Sequence, residues 1–341
     1  MKPAKVQDTT VFGKRILLRA DFDVPLNKDG KITDDTRIKN SFSTINYLLN
    51  QKAKIILIAH LGRPGGQRDE SLSLRPVSER LSELLKRKIL FSDEILGSKT
   101  KKLISKMDFG EIVLLENLRF DSREEENDKN FSKELSSLAD LYVNEAFSVS
   151  HRKHSSIAGV LEFMPFCFGF YFQKEIKALD QILNSPKRPV LLILGGKKKS
   201  KLDQIGKLKL LVDKIAIGGK LPLLGKDFSS KDQKIIVANL TQNNRDISAL
   251  SIDEFKKEIA KAGTIILAGT MGVFEEEENE AGTREIIKAL ALSLAFTVAG
   301  GGDTQAALTK FGLTDRIDYI SSGGGAMLFY LAQKTLPALE K

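Results

Sequence analysis

Short, nearly continuous apolar runs recur along this chain, and between them lie windows whose apolar residues return at helical spacing. The runs fall at 15–19, 55–59, 112–115, 190–194, 235–237, 264–267 and 294–298. A strand that is apolar at every position is covered on both faces, which points to a largely parallel sheet. The intervening windows, 37–51, 76–88, 131–138 and 252–261, carry one apolar stripe each, as a helix laid on such a sheet would. This alternation predicts a doubly wound, Rossmann-like α/β architecture, in which ligands bind beyond the C-terminal ends of the strands. At 341 residues the chain is long enough for about two such domains.

The division is expected near a change of character around 163–183. An apolar, glycine-punctuated stretch, FMPFCFGFYF, runs there into a long amphipathic helix that Pro186 and Pro189 bring to an end. The expected plan is an N-terminal domain over 1–165, a connecting helix over 166–185 and a second domain over 186–326. A C-terminal segment, 327–341, is expected to return to the first domain.

The strongest chemical signal lies near the end. VAGGGDT at 298–304 and SSGGGAM at 321–327 each place three glycines between a β-leaning run and a helix-competent stretch. Glycines at that junction let backbone N–H groups crowd onto a ligand, and the following helix start favours an anion. Asp303 and Thr304 sit where the first of these helices begins. Asp303 suits either a helix cap or a ligand to the Mg2+ that accompanies nucleotide phosphates.

Polar residues also follow the strands of the first half. Asp21 and Asp23 come after RILLRA, His60 and Arg63 after IILIA, Arg119 after IVLLEN, and Arg152 after LYVNEAF; Arg37 opens a helix. Basic groups at equivalent strand ends look like a cage for a small phosphorylated acid. His151 and His154 lack a third ligand for zinc. The acidic runs 124–126 and 275–278 read as solvated faces, Glu275 itself excepted.

Composition excludes more than it assigns. The single cysteine, Cys167, cannot form an intramolecular disulfide and reads as apolar filler. Residues 1–12 are polar and do not resemble a secretion signal, and no window is apolar enough to span a bilayer. A cytoplasmic protein with no membrane partner is expected. A net charge of +9 suits polyanions, but no nucleic-acid readout motif accompanies it, so no nucleic-acid partner is expected.

Taken in order, RADFDVPLNKDGKITDDTRI at 19–38, HLGRP at 60–64, LLENLRF at 114–120, DLYVNEAF with HRKHSS, GFYFQKEIKAL, LILGG, TMGVFE, GGGDT and SSGGGA resemble the phosphoglycerate kinase family along nearly the whole chain. The resemblance implies a monomeric two-domain hinge enzyme of glycolysis and gluconeogenesis. It would transfer a phosphoryl group reversibly between 1,3-bisphosphoglycerate with MgADP and 3-phosphoglycerate with MgATP. It implies a phosphoglycerate site of Asp21, Asp23, Arg37, His60, Arg63, Arg119 and Arg152. It also implies a nucleotide site of Gly195, Lys198, Lys201, Glu275, Gly301, Gly302, Asp303 and Thr304, with Asp303 on Mg2+. Arg37, Lys198, Gly324 and Gly325, together with Gly323, would face the transferring group.

Several positions depart from the family pattern. The chain is short after the Gly218-Gly219 pair, where GGKLPLLGKDFSS stands. GGKKKSKLDQI leaves the second family lysine to Lys201, Ala268 and Thr270 replace an asparagine and a proline of the WNGPMG motif, and Asp23 replaces an asparagine. A trimmed working kinase and a degenerate relative that binds without turnover are the two competing readings; the persistence of Arg37, Lys198, Asp303 and both glycine turns favours the first.

Overall fold

The computed structural model describes residues 4–225 and 232–340, so the Lys226–Ser230 part of the shortened segment lies outside the described residues. The chain divides into two compact units. One runs to Ile176 and takes in the segment from Leu336; the other is Lys177–Thr335. The division thus falls inside the helix Phe170–Asn184 rather than at either of its ends.

Each unit is built on one six-stranded, all-parallel sheet. In the first, β1 (Arg15–Arg19), β2 (Lys54–Ile58), β3 (Leu90–Phe91), β4 (Ile112–Leu114), β5 (Leu141–Asn144) and β6 (Phe166–Phe168) lie in the order β3-β4-β2-β1-β5-β6. In the second, β7 (Val190–Leu194), β8 (Lys214–Ile217), β9 (Ile235–Val237), β10 (Thr264–Ala268), β11 (Phe296–Gly300) and β12 (Tyr319–Ser321) lie in the order β12-β11-β10-β7-β8-β9. The sheets bury Leu17, Ile56 and Val113 on one face of the first, and Ile16, Leu18, Ile55 and Leu57 on the other. Burial on both faces is why those strands are apolar throughout.

Strand order reverses between β1 and β5 in the first unit and between β7 and β10 in the second. Neighbouring connections leave in opposite directions at those points, which opens a crevice beyond the strand ends. Both sets of chemically distinctive residues sit there.

Three local differences from the sequence pattern have physical causes. The window 37–51 is two helices, Thr36–Asn40 and Phe42–Asn50, because the Ser41 N–H turns back to the Ile38 carbonyl. The strand expected at 294–298 is shifted to Phe296–Gly300. Pairing with β10 sets Thr264 opposite Phe296 and Ala268 opposite Gly300, while Leu294 stands in solvent. Gly300 is therefore the last residue of a strand rather than part of the turn. Finally, Glu124 does not belong to a solvated face. It is buried and accepts from the Ser156 N–H (2.9 Å) and hydroxyl (2.6 Å), which the adjacent acidic residues in sequence give no hint of.

Candidate functional site

The first unit gathers its charges beyond the ends of β1, β2, β4 and β5. Arg19 is the last residue of β1 and is 1% exposed. Its guanidinium donates to the Ser156 hydroxyl (2.9 Å), the Ala20 carbonyl (2.6 Å) and His60 Nδ1 (3.2 Å). Since arginine only donates, His60 Nδ1 accepts and the ring proton sits on Nε2, which lies 3.8 Å from Asp23 Oδ2. Burial, and then the arginines 19, 119, 37 and 152, hold the His60 pKa well below its ordinary value. His60 is a neutral donor.

Asp21 accepts from Arg37 Nη1 (2.6 Å) and from the Ser148 hydroxyl (2.7 Å), both on Oδ2. Burial pushes its pKa upward, but Arg37, Ser148 and Arg19 outweigh that and keep it below the usual carboxylate range. Asp23 is held differently. The buried Phe22 and Val24 anchor its neighbours, and its Oδ1 accepts the Gly62 N–H at 2.9 Å.

Arg119 is 3% exposed along its side chain; it donates through Nη1 to the Gly62 carbonyl (2.7 Å) and pairs through Nε with Glu125 (3.1 Å). Its Nη2 is buried with no hydrogen-bond partner among the described residues. Burial and the nearby Arg152 and Arg19 pull its pKa down to about 10 against the opposing pull of Glu125 and Asp23. Burial followed by Arg63 likewise lowers Arg152. Arg63 itself is exposed. The structure thus brings Asp21, Asp23, Arg37, His60, Arg119 and Arg152 within electrostatic reach of one another, with Arg63 beside Arg152. Guanidiniums that destabilise each other, one with an unsatisfied buried N–H, are relieved by an anion.

Arg19, Ser148, Ser156 and Glu124 complete this arrangement; the sequence reading gives the first three no role at the site and takes Glu124 as part of a solvated face. Only Arg19 carried a usable signal, as a charge inside a strand apolar on both faces. Glu124 faces Arg19 through Ser156; burial raises its pKa, partly countered by Arg19 and Ser156.

The second unit uses backbone where the first uses side chains. Gly195 directly follows β7 and Gly269 directly follows β10. Gly269 has φ +106°, and a Cβ there would stand 2.3 Å from the Gly195 carbonyl oxygen. Lys201 bridges the two strand ends, donating from Nζ to the carbonyls of Gly195 (2.7 Å) and Ala268 (2.9 Å). Burial, then the like charge of Lys198, brings its pKa down to about 8, with Asp303 opposing. Lys198 is exposed, as is Glu275.

The two glycine turns pack against each other. A Cβ on Gly324 would meet the Gly300 carbonyl oxygen at 2.8 Å, so part of the glycine requirement is backbone-to-backbone contact rather than ligand approach. Gly301 and Gly323 occupy the N-cap positions of the helices Gly302–Lys310 and Gly324–Gln333, neither with a side-chain cap. Asp303 is therefore not the cap; it is exposed in the first turn. Thr304 is buried, donating to the Gly300 carbonyl (3.0 Å) and accepting from the Gly269 N–H (2.9 Å), which ties β11 to β10. Gly302 and Gly325 are exposed at these helix starts.

Among the described residues no helix is long and apolar enough to cross a membrane. The free Cys167 is buried in the core of the first sheet, and burial pushes its pKa up to about 12.

Comparison with known proteins agrees with this geometry. The family model described as phosphoglycerate kinase matches residues 6–224 and 223–334, two stretches that meet in the shortened segment. Phosphoglycerate kinase of Finegoldia magna is 38% identical over 393 aligned positions, covering 100% of this chain and 99% of the relative. That of Aquifex aeolicus is 38% identical, covering 99% and 98%. An alignment longer than the 341-residue chain means that the Finegoldia relative has internal segments this chain lacks. Phosphoglycerate kinase structures from Pyrococcus horikoshii (TM-score 0.86, 30% identity, covering 98% of this chain and 97% of that one) and Coxiella burnetii (TM-score 0.79, 31% identity, covering 99% and 98%) share the fold. With the family model matched over most of its length and relatives above 30% identity end to end, the chain belongs to the phosphoglycerate kinase family, a family of phosphotransferases.

Proposed function

We propose that this protein is a working phosphoglycerate kinase, transferring a phosphoryl group reversibly between 1,3-bisphosphoglycerate with MgADP and 3-phosphoglycerate with MgATP. The observation that carries the reading is the arginine cage of the first unit, whose Arg119 Nη2 is buried and has no hydrogen-bond partner among the described residues. In this reading His60, Arg63, Arg119 and Arg152 bind the phosphorylated acid together with Asp21 and Asp23. Arg37, oriented by Asp21, neutralises charge on the transferring group. Such a reaction asks for positioning and dense positive charge and no covalent step on the protein, since the substrate carboxylate is the nucleophile.

On the nucleotide side, the exposed Lys198 would contact the phosphates and the exposed Glu275 the ribose, while Gly195, Gly301, Gly302, Gly324 and Gly325 would offer backbone. Lys201 and Thr304 contribute by fixing the strand ends on which those glycines sit. Asp303 fits Mg2+ as a single exposed carboxylate beside a phosphate-binding turn, because Mg2+ keeps water ligands and arrives on phosphate oxygens. When bound, the ion would screen phosphate charge. The transfer requires a hinge motion that brings both ligands together. Monomeric state and cytoplasmic location belong to the same reading, the former checked by light scattering on the purified chain.

The decisive experiment is a coupled assay with 3-phosphoglycerate and MgATP. Turnover is expected in the wild type and a fall of about 10²- to 10³-fold in Arg37→Ala, the scale for loss of one transition-state charge contact. Saturable binding of both ligands without turnover in the wild type overturns the kinase reading in favour of a binding-only relative. Running the assay with GTP in place of ATP then shows whether the shortened nucleotide side still selects a base.

A further inference from the structure

The stretch 271–280 after β10 carries Glu275, whose exposed carboxylate takes no part in the bonds that hold its neighbours. Those bonds are many. The Lys310 ammonium donates to the Phe274 carbonyl (2.7 Å) and to Glu280 Oε2 (2.8 Å). A second loop, 241–246, supplies further ties. The Arg245 carbonyl accepts the Val273 N–H at 2.9 Å, and the buried Asp246 accepts the Gly282 N–H at 2.8 Å. Arg245 Nε donates to Glu276 Oε2 at 2.9 Å, while its Nη2 donates to Oε1 of the same carboxylate, a two-point fork. Glu276 Oε2 also accepts the Asn279 amide at 2.7 Å, and Asn279 Oδ1 accepts the Asn243 amide at 2.9 Å. The two segments meet so closely that a Cβ on Gly272 would stand 2.3 Å from Asp246 Oδ1.

The loop that grips is itself braced. Asn244 has φ +54°, its N–H closes onto the Thr241 carbonyl (2.9 Å), and the Thr241 N–H closes onto the Asp246 carbonyl (2.9 Å). Glu276 adjoins Glu275 in the chain, so the fork from Arg245 restrains the backbone one residue from the exposed carboxylate. A carboxylate on a loose segment must be ordered as it captures a hydroxyl, and that ordering subtracts from affinity. We propose that Arg245 is a positioning residue for the nucleotide: by gripping Glu276 it holds the stretch 271–280 so that Glu275 meets the ribose hydroxyls already in place. The proposal rests on the kinase reading, in which Glu275 contacts the ribose, and adds a residue to which that reading gives no role.

The test is calorimetric titration of the full chain with MgADP and with its 2′,3′-dideoxy analogue, which lacks the ribose hydroxyls. Wild type is expected to prefer MgADP by about tenfold, the range for a hydrogen bond to a charged group. Arg245→Ala is expected to weaken MgADP about threefold, the scale of a well-formed exposed ion pair, and to leave the dideoxy analogue unchanged. In a Glu275→Ala background the same substitution is expected to cost nothing further, because the group it positions is gone. If Arg245→Ala weakens both nucleotides equally or neither, or still weakens MgADP in the Glu275→Ala background, the proposal is overturned while the wild-type preference keeps Glu275 at the ribose. Equal affinity of the wild type for the two nucleotides removes the ribose contact and the proposal together.

Discussion

The two units solve the same problem, holding a polyanion, with opposite materials. The first uses buried side-chain charge. Arg19, Arg37, Arg119 and Arg152 crowd around His60, with the carboxylates of Asp21 and Asp23 among them and Glu125 paired to Arg119. The second uses main chain. Gly195, Gly269, Gly300 and Gly324 let the strand ends approach closely, and the half-buried Lys201 is spent on carbonyl oxygens. A site of side chains can be adjusted one charge at a time, whereas a site of packed backbone accepts almost no change. Departures from the family pattern in the first unit are accordingly single residues such as Asp23. In the second unit they include a lost segment at residues 223–224, where the two matched stretches meet.

Substituting the tightest glycine should produce the largest effect. Gly269→Ala is expected to destabilise the second unit by about 3 kcal/mol or more, because φ is +106° and the new methyl would overlap the Gly195 carbonyl and Lys201 Nζ. Thermal unfolding and nucleotide titration measure this. Retention of wild-type nucleotide affinity and midpoint would show that the turns are softer than the packing implies.

Next comes Lys201. Its folded pKa of about 8 lies below the 10.5 of a free lysine, so the unfolded chain holds the extra proton between those values. Stability must therefore rise as pH climbs from about 8 to about 10.5, and the burial contributes nothing further above that window. Lys201→Met is expected to abolish this slope, worth about 3 kcal/mol for a shift from 10.5 to about 8. Denaturant titrations at pH 7.5, 9 and 10.5 would compare the two proteins, and parallel curves would mean that Lys201 is not desolvated in solution.

Ser148→Ala should be the mildest. It removes one of the two donors on Asp21 Oδ2 and leaves the Arg37 pair, so a loss of about 1 kcal/mol is expected, seen as a few-fold rise in KM for 3-phosphoglycerate. A large fall in kcat instead would show that Arg37 depends on Ser148 for its orientation, and that the first site is less adjustable than the comparison holds.

How far the sequence reached can be followed through particular residues. β1, β7 and β9 were legible to the residue because strands apolar on both faces leave an uninterrupted run. β3, β6 and β8 were not read as strands; they form by pairing with β4, β5 and β7. The cage residues Asp21, His60, Arg119 and Arg152 were recoverable from their places after strands. The network behind them was not, because Glu124 and Ser156 read as ordinary surface residues until the fold buries them beside Arg19.

By itself, then, the sequence determined the α/β class, the family and the roster of charged and glycine positions, all of which are written in local periodicity and ordered motifs. Tertiary structure alone decided what each of those residues is free to do. Whether a lysine reaches phosphate or a carbonyl, whether a threonine is open or tied between strands, and which nitrogen of His60 carries the proton depend on neighbours brought together from distant parts of the chain. Hydrogen bonds and burial act over a few ångströms in space, and no spacing along the chain records that distance.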